Sequence, residues 1–121
     1  MRTLHHSPEI VERWFGLSLA EQLGNVGSEV SRTLSWRSRN AATAEGALER
    51  ALELIDLMLE DPRLRSSPPR LREICRAREV LLDYVVGPNR YGSTDASLRR
   101  YFDAFAVAAH IQRRTVVRVI P

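Results

Sequence analysis

Eighteen arginines and no lysine carry the positive side-chain charge of this 121-residue chain, apart from its three histidines. A guanidinium stays charged at any usable pH, offers a planar fork of donors to phosphate or carboxylate, and stacks on flat rings. Several of the arginines sit beside aromatic residues. Arg37 and Arg39 flank the neighbourhood of Trp36, Arg90 precedes Tyr91, Arg99 and Arg100 precede Tyr101, and Arg113 and Arg114 are followed by Arg118. Arginine interleaved with aromatic rings clamps phosphates and stacks bases. The candidate nucleic-acid contacts are therefore Arg37, Arg39, Arg90, Arg99, Arg100, Arg113, Arg114 and Arg118. A GC-rich genome would also produce an all-arginine complement with no selection for binding.

A second group of arginines has an internal counterweight. Residues 41–61 hold six acids (Glu45, Glu49, Glu53, Asp56, Glu60, Asp61) against Arg50, whereas residues 62–79 hold six arginines against Glu73 and Glu79. An acidic helix followed by a basic one suits an antiparallel hairpin with complementary flanks. Arg63, Arg65, Arg70, Arg72 and Arg76 are for that reason the weaker phosphate candidates.

Catalytic chemistry finds little support. His5 and His6 have no further metal ligands nearby, and His110 follows the last helical stripe, where it suits a helix C-terminus better than general-base duty. Cys75, the single cysteine, lies between Ile74 and Arg76 and is expected to be a small buried hydrophobe. Glu45, Glu49 and Glu53 step by four along one face, but bundle metal sites add a Glu-x-x-His pair that this chain lacks. No P-loop, dinucleotide glycine motif, G-x-S-x-G or zincin signature occurs. The expectation is a non-enzymatic protein with no cofactor and no metal.

The elements that would position these residues are helices. Ser7-Pro8 opens a short helix that Gly16 stops. Ser18-Leu19-Ala20-Glu21 reads as a capping box, and Leu19, Leu23, Val26, Val30 and Leu34 form an apolar stripe on a helix running to about Arg39. Beside that stripe, Ala20, Gly24, Gly27, Ser31 and Ser35 form a lane of small side chains, the mark of a closely approaching helix. Asn40 caps a helix over 41–60 with a broad apolar face. Asp61-Pro62 ends it, and Ser66-Ser67-Pro68-Pro69 marks a linker. The next helix carries Leu71, Ile74, Cys75, Arg78, Leu81, Leu82 and Val85 along one side and stops at Gly87-Pro88. Ser93 or Thr94 caps the last helix, whose stripe is Leu98, Tyr101, Phe102, Phe105, Ala108 and Ala109. Thr115 to Pro121 is β-branched and ends in proline, so it reads as an irregular or extended tail. The predicted fold is all-α: a four-helix bundle with a short N-terminal helix, one domain over 1–114 and a tail over 115–121.

Asn40, Gly46, Ala51, Leu52 and Ile55, followed by Asp61-Pro62, resemble part of one tetratricopeptide repeat. The Asp-Pro arrives one residue early and no second copy follows, so the segment is taken as a helical hairpin with similar packing needs. The whole layout, a basic domain of this size with four helices, resembles the four-helix-bundle family of 23S rRNA intervening-sequence proteins and retroelement variability accessory proteins. That resemblance implies a ring-like homo-oligomer whose basic surface contacts nucleic acid or a reverse transcriptase. The HEPN ribonucleases, another helical family, use an Arg-x4–6-His motif. Here Arg99 and Arg100 stand too far before His110, which counts against that activity.

Apolar residues at 44% and charged residues at 27% suit a soluble globular domain rather than a disordered chain. The N-terminus lacks an apolar h-region, and the longest apolar run, Ala104 to Ala109, is far below the ~20 residues of a membrane span. A cytoplasmic accessory protein that self-associates is the expectation. RNA or DNA, or a protein, are the further partners considered, and a membrane is not.

Overall fold

The computed structural model describes residues 7–105 and 107. Among these the chain forms six helices and no strand: α1 (Pro8–Phe15), α2 (Leu19–Trp36), α3 (Ala41–Met58), α4 (Pro62–Arg65), α5 (Pro68–Val85) and α6, which starts at residue 95 and is described to residue 105. The all-α expectation holds, with α2, α3, α5 and α6 as the long elements and α1 as the short N-terminal one. No described helix is long and apolar enough to cross a membrane. The tail over 115–121, together with His5, His6, His110, Arg113, Arg114 and Arg118, lies outside the described residues.

Each start follows from its capping side chain. Ser7 Oγ accepts from Ile10 N at 3.3 Å, and Asn40 Oδ1 accepts from Thr43 N at 3.1 Å. Ser18 and Glu21 satisfy each other's backbone amides at 3.0 and 3.1 Å, the reciprocal box read from the sequence. At α6 the cap is Thr94, whose Oγ1 takes Ser97 N at 3.0 Å while Ser97 Oγ takes Thr94 N at 2.9 Å.

Two boundaries differ from the sequence reading. Helix α2 ends at Trp36 rather than near Arg39: Arg39 N turns onto Trp36 O at 2.9 Å in a three-residue turn, and Asn40 is extended (φ −155°). The stretch after Asp61 is not only a stop. Asp61 caps one turn of helix, α4, with Pro62 at its first position, and this turn drives Leu64 into the core at 1% exposure.

The core runs between α2, α3, α5 and α6. Val26 and Val30 of α2 meet Ala51 and Ile55 of α3, and all four are buried along with Leu81 and Phe102. Helix α3 packs on both α2 and α5, which accounts for its wide apolar face. On α5 the buried side is Ile74, Ala77 and Leu81. The sequence reading had placed Cys75 on that side, yet Cys75 is exposed. Ile74, Ala77 and Leu81 fall at steps of three and four, so the face is rotated by part of a turn. A small alanine contributes little hydropathy, and cysteine contributes more, which is why the stripe was assigned to the wrong edge.

The lane of small residues on α2 receives α6. A Cβ placed on Gly27 would lie 2.8 Å from Phe102 Cβ, closer than real side chains approach. Gly27→Ala is expected to force α6 outward. Overpacking costs about 1–3 kcal/mol, against roughly 1 kcal/mol gained from replacing a mid-helix glycine. The net expectation is a lower melting temperature by far-UV circular dichroism despite the better helix former.

Candidate ligand groove and the arginine surface

The α5–α6 loop is built by two side chains. Asn89, in the left-handed region (φ 56°), accepts from Ser93 N at 2.8 Å and donates to Ser93 O at 3.0 Å. Asp83 accepts from Arg90 N at 2.9 Å and Tyr91 N at 3.1 Å, capping the turn. These bonds fix where Tyr91 and Ser93 stand relative to α5.

Between α5 and α6 the packing leaves a hollow of about 270 Å³. Ala77, Val80, Leu98, Tyr101 and Phe102 make its apolar walls, and Glu73, Arg76, Ser93 and Ser97 supply polar groups. Tyr101 donates its hydroxyl to Glu73 at 3.3 Å, and burial, with the Glu73 charge adding to it, pushes that phenol up to about 12. Tyr101 is thus a neutral donor at any working pH. Its ring stacks edge-on with Phe102 (5.1 Å) and Phe105 (5.2 Å), which stiffens one wall.

Two other hollows flank the same helix. One of about 520 Å³ lies among the start of α2, α4 and α5 and opens beside Phe105, at the edge of the described residues. The other, shallow and about 630 Å³, lies on the outer face of α5 between Arg72, Cys75, Arg76, Glu79 and Tyr91. The first-described hollow has the character of a ligand site, apolar walls with a few convergent polar groups, and is just below the usual size range.

The predicted arginine contacts divide. Arg37 lies 4.9 Å from the Tyr84 ring centroid and 3.9 Å from Asp95, and Arg39 stacks on Trp36 at 4.5 Å. Arg99 reaches across to the hydroxyls of Ser31 and Ser35, so it bridges α6 to α2 in the small-residue lane. These three therefore have partners inside the protein, contrary to the expectation that they lack a counterweight. Arg90 and Arg100 are exposed.

In the other arginine set, the hairpin complementarity appears as Arg78 Nε on Asp56 at 3.0 Å. Arg50 turns instead to Glu29 of α2 at 3.3 Å. Arg65 caps back onto Leu59 O at 3.0 Å. Arg70 and Arg72 are exposed and make no hydrogen bond or ion pair with any described residue. Glu45 and Glu49 point to solvent, and among the described residues no group of three or more His, Cys, Asp or Glu is arranged to hold a metal.

Arg63 belongs to a polar cluster that sequence reading missed. Asp61, 1% exposed, accepts from Arg63 N at 2.9 Å, Arg63 Nε at 3.1 Å and Arg63 Nη2 at 2.7 Å, and from buried Gln22 Nε2 at 3.3 Å. Gln22 also donates to Trp14 O, and Arg63 Nη2 reaches Phe15 O and Leu17 O at 3.2 and 2.7 Å. The hydrogen bonds from Arg63 hold the Asp61 carboxyl below the ordinary aspartate range, although burial opposes them. The cluster ties the α1–α2 turn to the start of α4. Its role is structural.

Comparison with protein-family models, curated proteins and solved structures finds no match to this chain.

Proposed function

We propose that this chain is a non-enzymatic binding module that acts by contact, with the hollow between α5 and α6 as its binding surface. The observation that carries this reading is the hollow itself: four apolar walls around Ala77 and a polar rim at Glu73, Arg76, Ser93 and Ser97. A neutral solvatochromic probe such as Prodan is expected to bind the wild-type protein with a blue-shifted emission. Ala77→Leu, which projects into the hollow, and Ser93→Trp, whose ring would cover its mouth, are expected to abolish that signal while both variants keep a cooperative thermal transition. Probe binding unchanged in both folded variants would sink the reading.

Self-association rests in the sequence on the α3 face and the small-residue lane of α2. Helix α3 covers α2 and α5, and the lane receives α6, so a homo-oligomer would form through other surfaces. Light scattering at high micromolar concentration measures it directly.

A second reading, contact with RNA or DNA, is favoured by Arg37 and Arg39, which are stacked on Tyr84 and Trp36 near the end of α2. Stacking by the face leaves the donor edge of the Arg39 guanidinium to meet phosphate, whereas Arg37 would first have to leave Asp95 at 3.9 Å. Gel-shift affinity in a salt series should then fall with a log–log slope of about 0.9 per phosphate neutralised on duplex DNA. A flat slope removes it.

A further inference from the structure

The charged groups around the groove are unequally committed. Glu73 and Glu79, both on α5, accept hydrogen bonds from tyrosine hydroxyls, Tyr101 to Glu73 at 3.3 Å and Tyr91 to Glu79 at 2.9 Å. Arg76, which lines the groove, makes no hydrogen bond or ion pair with any described residue. Its guanidinium carbon lies 5.5 Å from the ring centroid of Tyr91, which lines the hollow on the outer face of α5, so Arg76 is shared by the two hollows. Arg72, one turn earlier, is likewise without a hydrogen-bond or ion-pair partner among the described residues. The two acids thus each hold a tyrosine hydroxyl, while Arg72 and Arg76 have no hydrogen-bond or ion-pair partner among the described residues.

We propose that the groove takes a small amphiphilic anion, an apolar body of one ring or a short chain seated against Ala77, Val80, Leu98 and Phe102, with a carboxylate or similar head on Arg76. This inference rests on the groove being a binding site and adds the charge of the occupant. The hollow of about 270 Å³ suits a ligand of that size. A carboxylate on a guanidinium forms a charge-assisted, bidentate pair, stronger than the neutral bond an amide head would make. Glu73 lies in the same lining and opposes an anion, so the head is placed on Arg76; Ser93 adds a hydroxyl to the lining, whereas the Ser97 hydroxyl already donates to Thr94 O at 3.0 Å.

Three probes with one body separate the outcomes: 4-phenylbutyrate, 4-phenylbutanamide and 4-phenylbutylammonium, titrated by calorimetry or by ligand-observed NMR. The acid is expected to bind about tenfold more tightly than the amide, and the ammonium to bind weakest. Arg76→Gln should bring the acid down to the amide, Arg76→Lys should keep part of the preference, and Glu73→Gln should strengthen acid binding. Equal affinity of acid and amide, or an Arg76→Gln variant that still prefers the acid, overturns the anion assignment while leaving the groove as an apolar site. Tightest binding by the ammonium overturns it in favour of Glu73 as anchor. If no probe binds, or if Ala77→Leu leaves all three unaffected, the groove reading itself fails.

Discussion

Phe102→Ala is expected to remove about 4 kcal/mol of folding stability, within the range of large-to-small aromatic substitutions in protein cores. Phe102 is 2% exposed, and its Cβ sits against Gly27 at the closest approach of α6 to α2. Its ring also stacks edge-on with Tyr101 and forms one wall of the groove. Truncation would therefore act on three contacts together: the α2–α6 seam, the aromatic pair and the groove wall. The rigid backbone contact at Gly27 limits how far α6 can move inward to fill the space. Chemical denaturation measures the loss. A change below about 1 kcal/mol would mean that α6 is not docked on the small-residue lane as described.

Asp61→Ala is expected to cost about 3 kcal/mol. Removing one partner of a buried ion pair costs about 3–5 kcal/mol, and the lower end applies because the Arg63 side chain is 46% exposed and regains water. Part of the loss is the cap of α4, worth typically ~1 kcal/mol. The rest is Gln22, which is fully buried and would lose one of its two acceptors. In a domain of this size the melting temperature should fall by about 10 °C. The pH dependence gives an independent check. Asp61 titrates below its unfolded value of 3.8, so the unfolded state takes up the proton first and the contribution of this carboxylate is present above that pH. It is lost as the pH falls through the lower folded value. Asp61→Ala and Asp61→Asn, neither of which titrates, should both flatten that acid limb of the stability curve, and at neutral pH Asp61→Asn, which keeps an acceptor for Arg63 N, should lie between wild type and Asp61→Ala in stability.

Local rules made much of the scaffold legible. Ser7, Ser18 and Asn40 cap helices because their side-chain oxygens reach free backbone amides within three residues, a relation that needs no tertiary information. The stripe Leu23, Val26, Val30 and Leu34 is buried as its spacing requires. The lane containing Gly27 and Ser31 could be read as a close approach, although not which helix would come close. The α4 turn was missed because four residues carry no periodicity, so Asp61-Pro62 read as a stop alone.

The candidate site was hardly legible. Its walls come from α5 and α6, and its polar groups come from α5, the loop between them and the first turn of α6. Cys75 and Ala77 changed places between surface and core because the rotation of α5 is set by what it packs against, and the greater hydropathy of cysteine pointed to the wrong edge. The arginines show the same division. By itself the sequence determined that the positive charge is guanidinium, that the chain is helical, and where most helices begin, since these follow from residue chemistry and short-range hydrogen bonds. Only the tertiary structure decided which arginines are committed. Arg99 meets Ser31 and Ser35, and Arg63 meets Asp61, Phe15 and Leu17. Arg76, shared by the groove and the hollow on the outer face of α5, has donors unclaimed by any described residue, because partners of a long flexible side chain are set by which helices pack together.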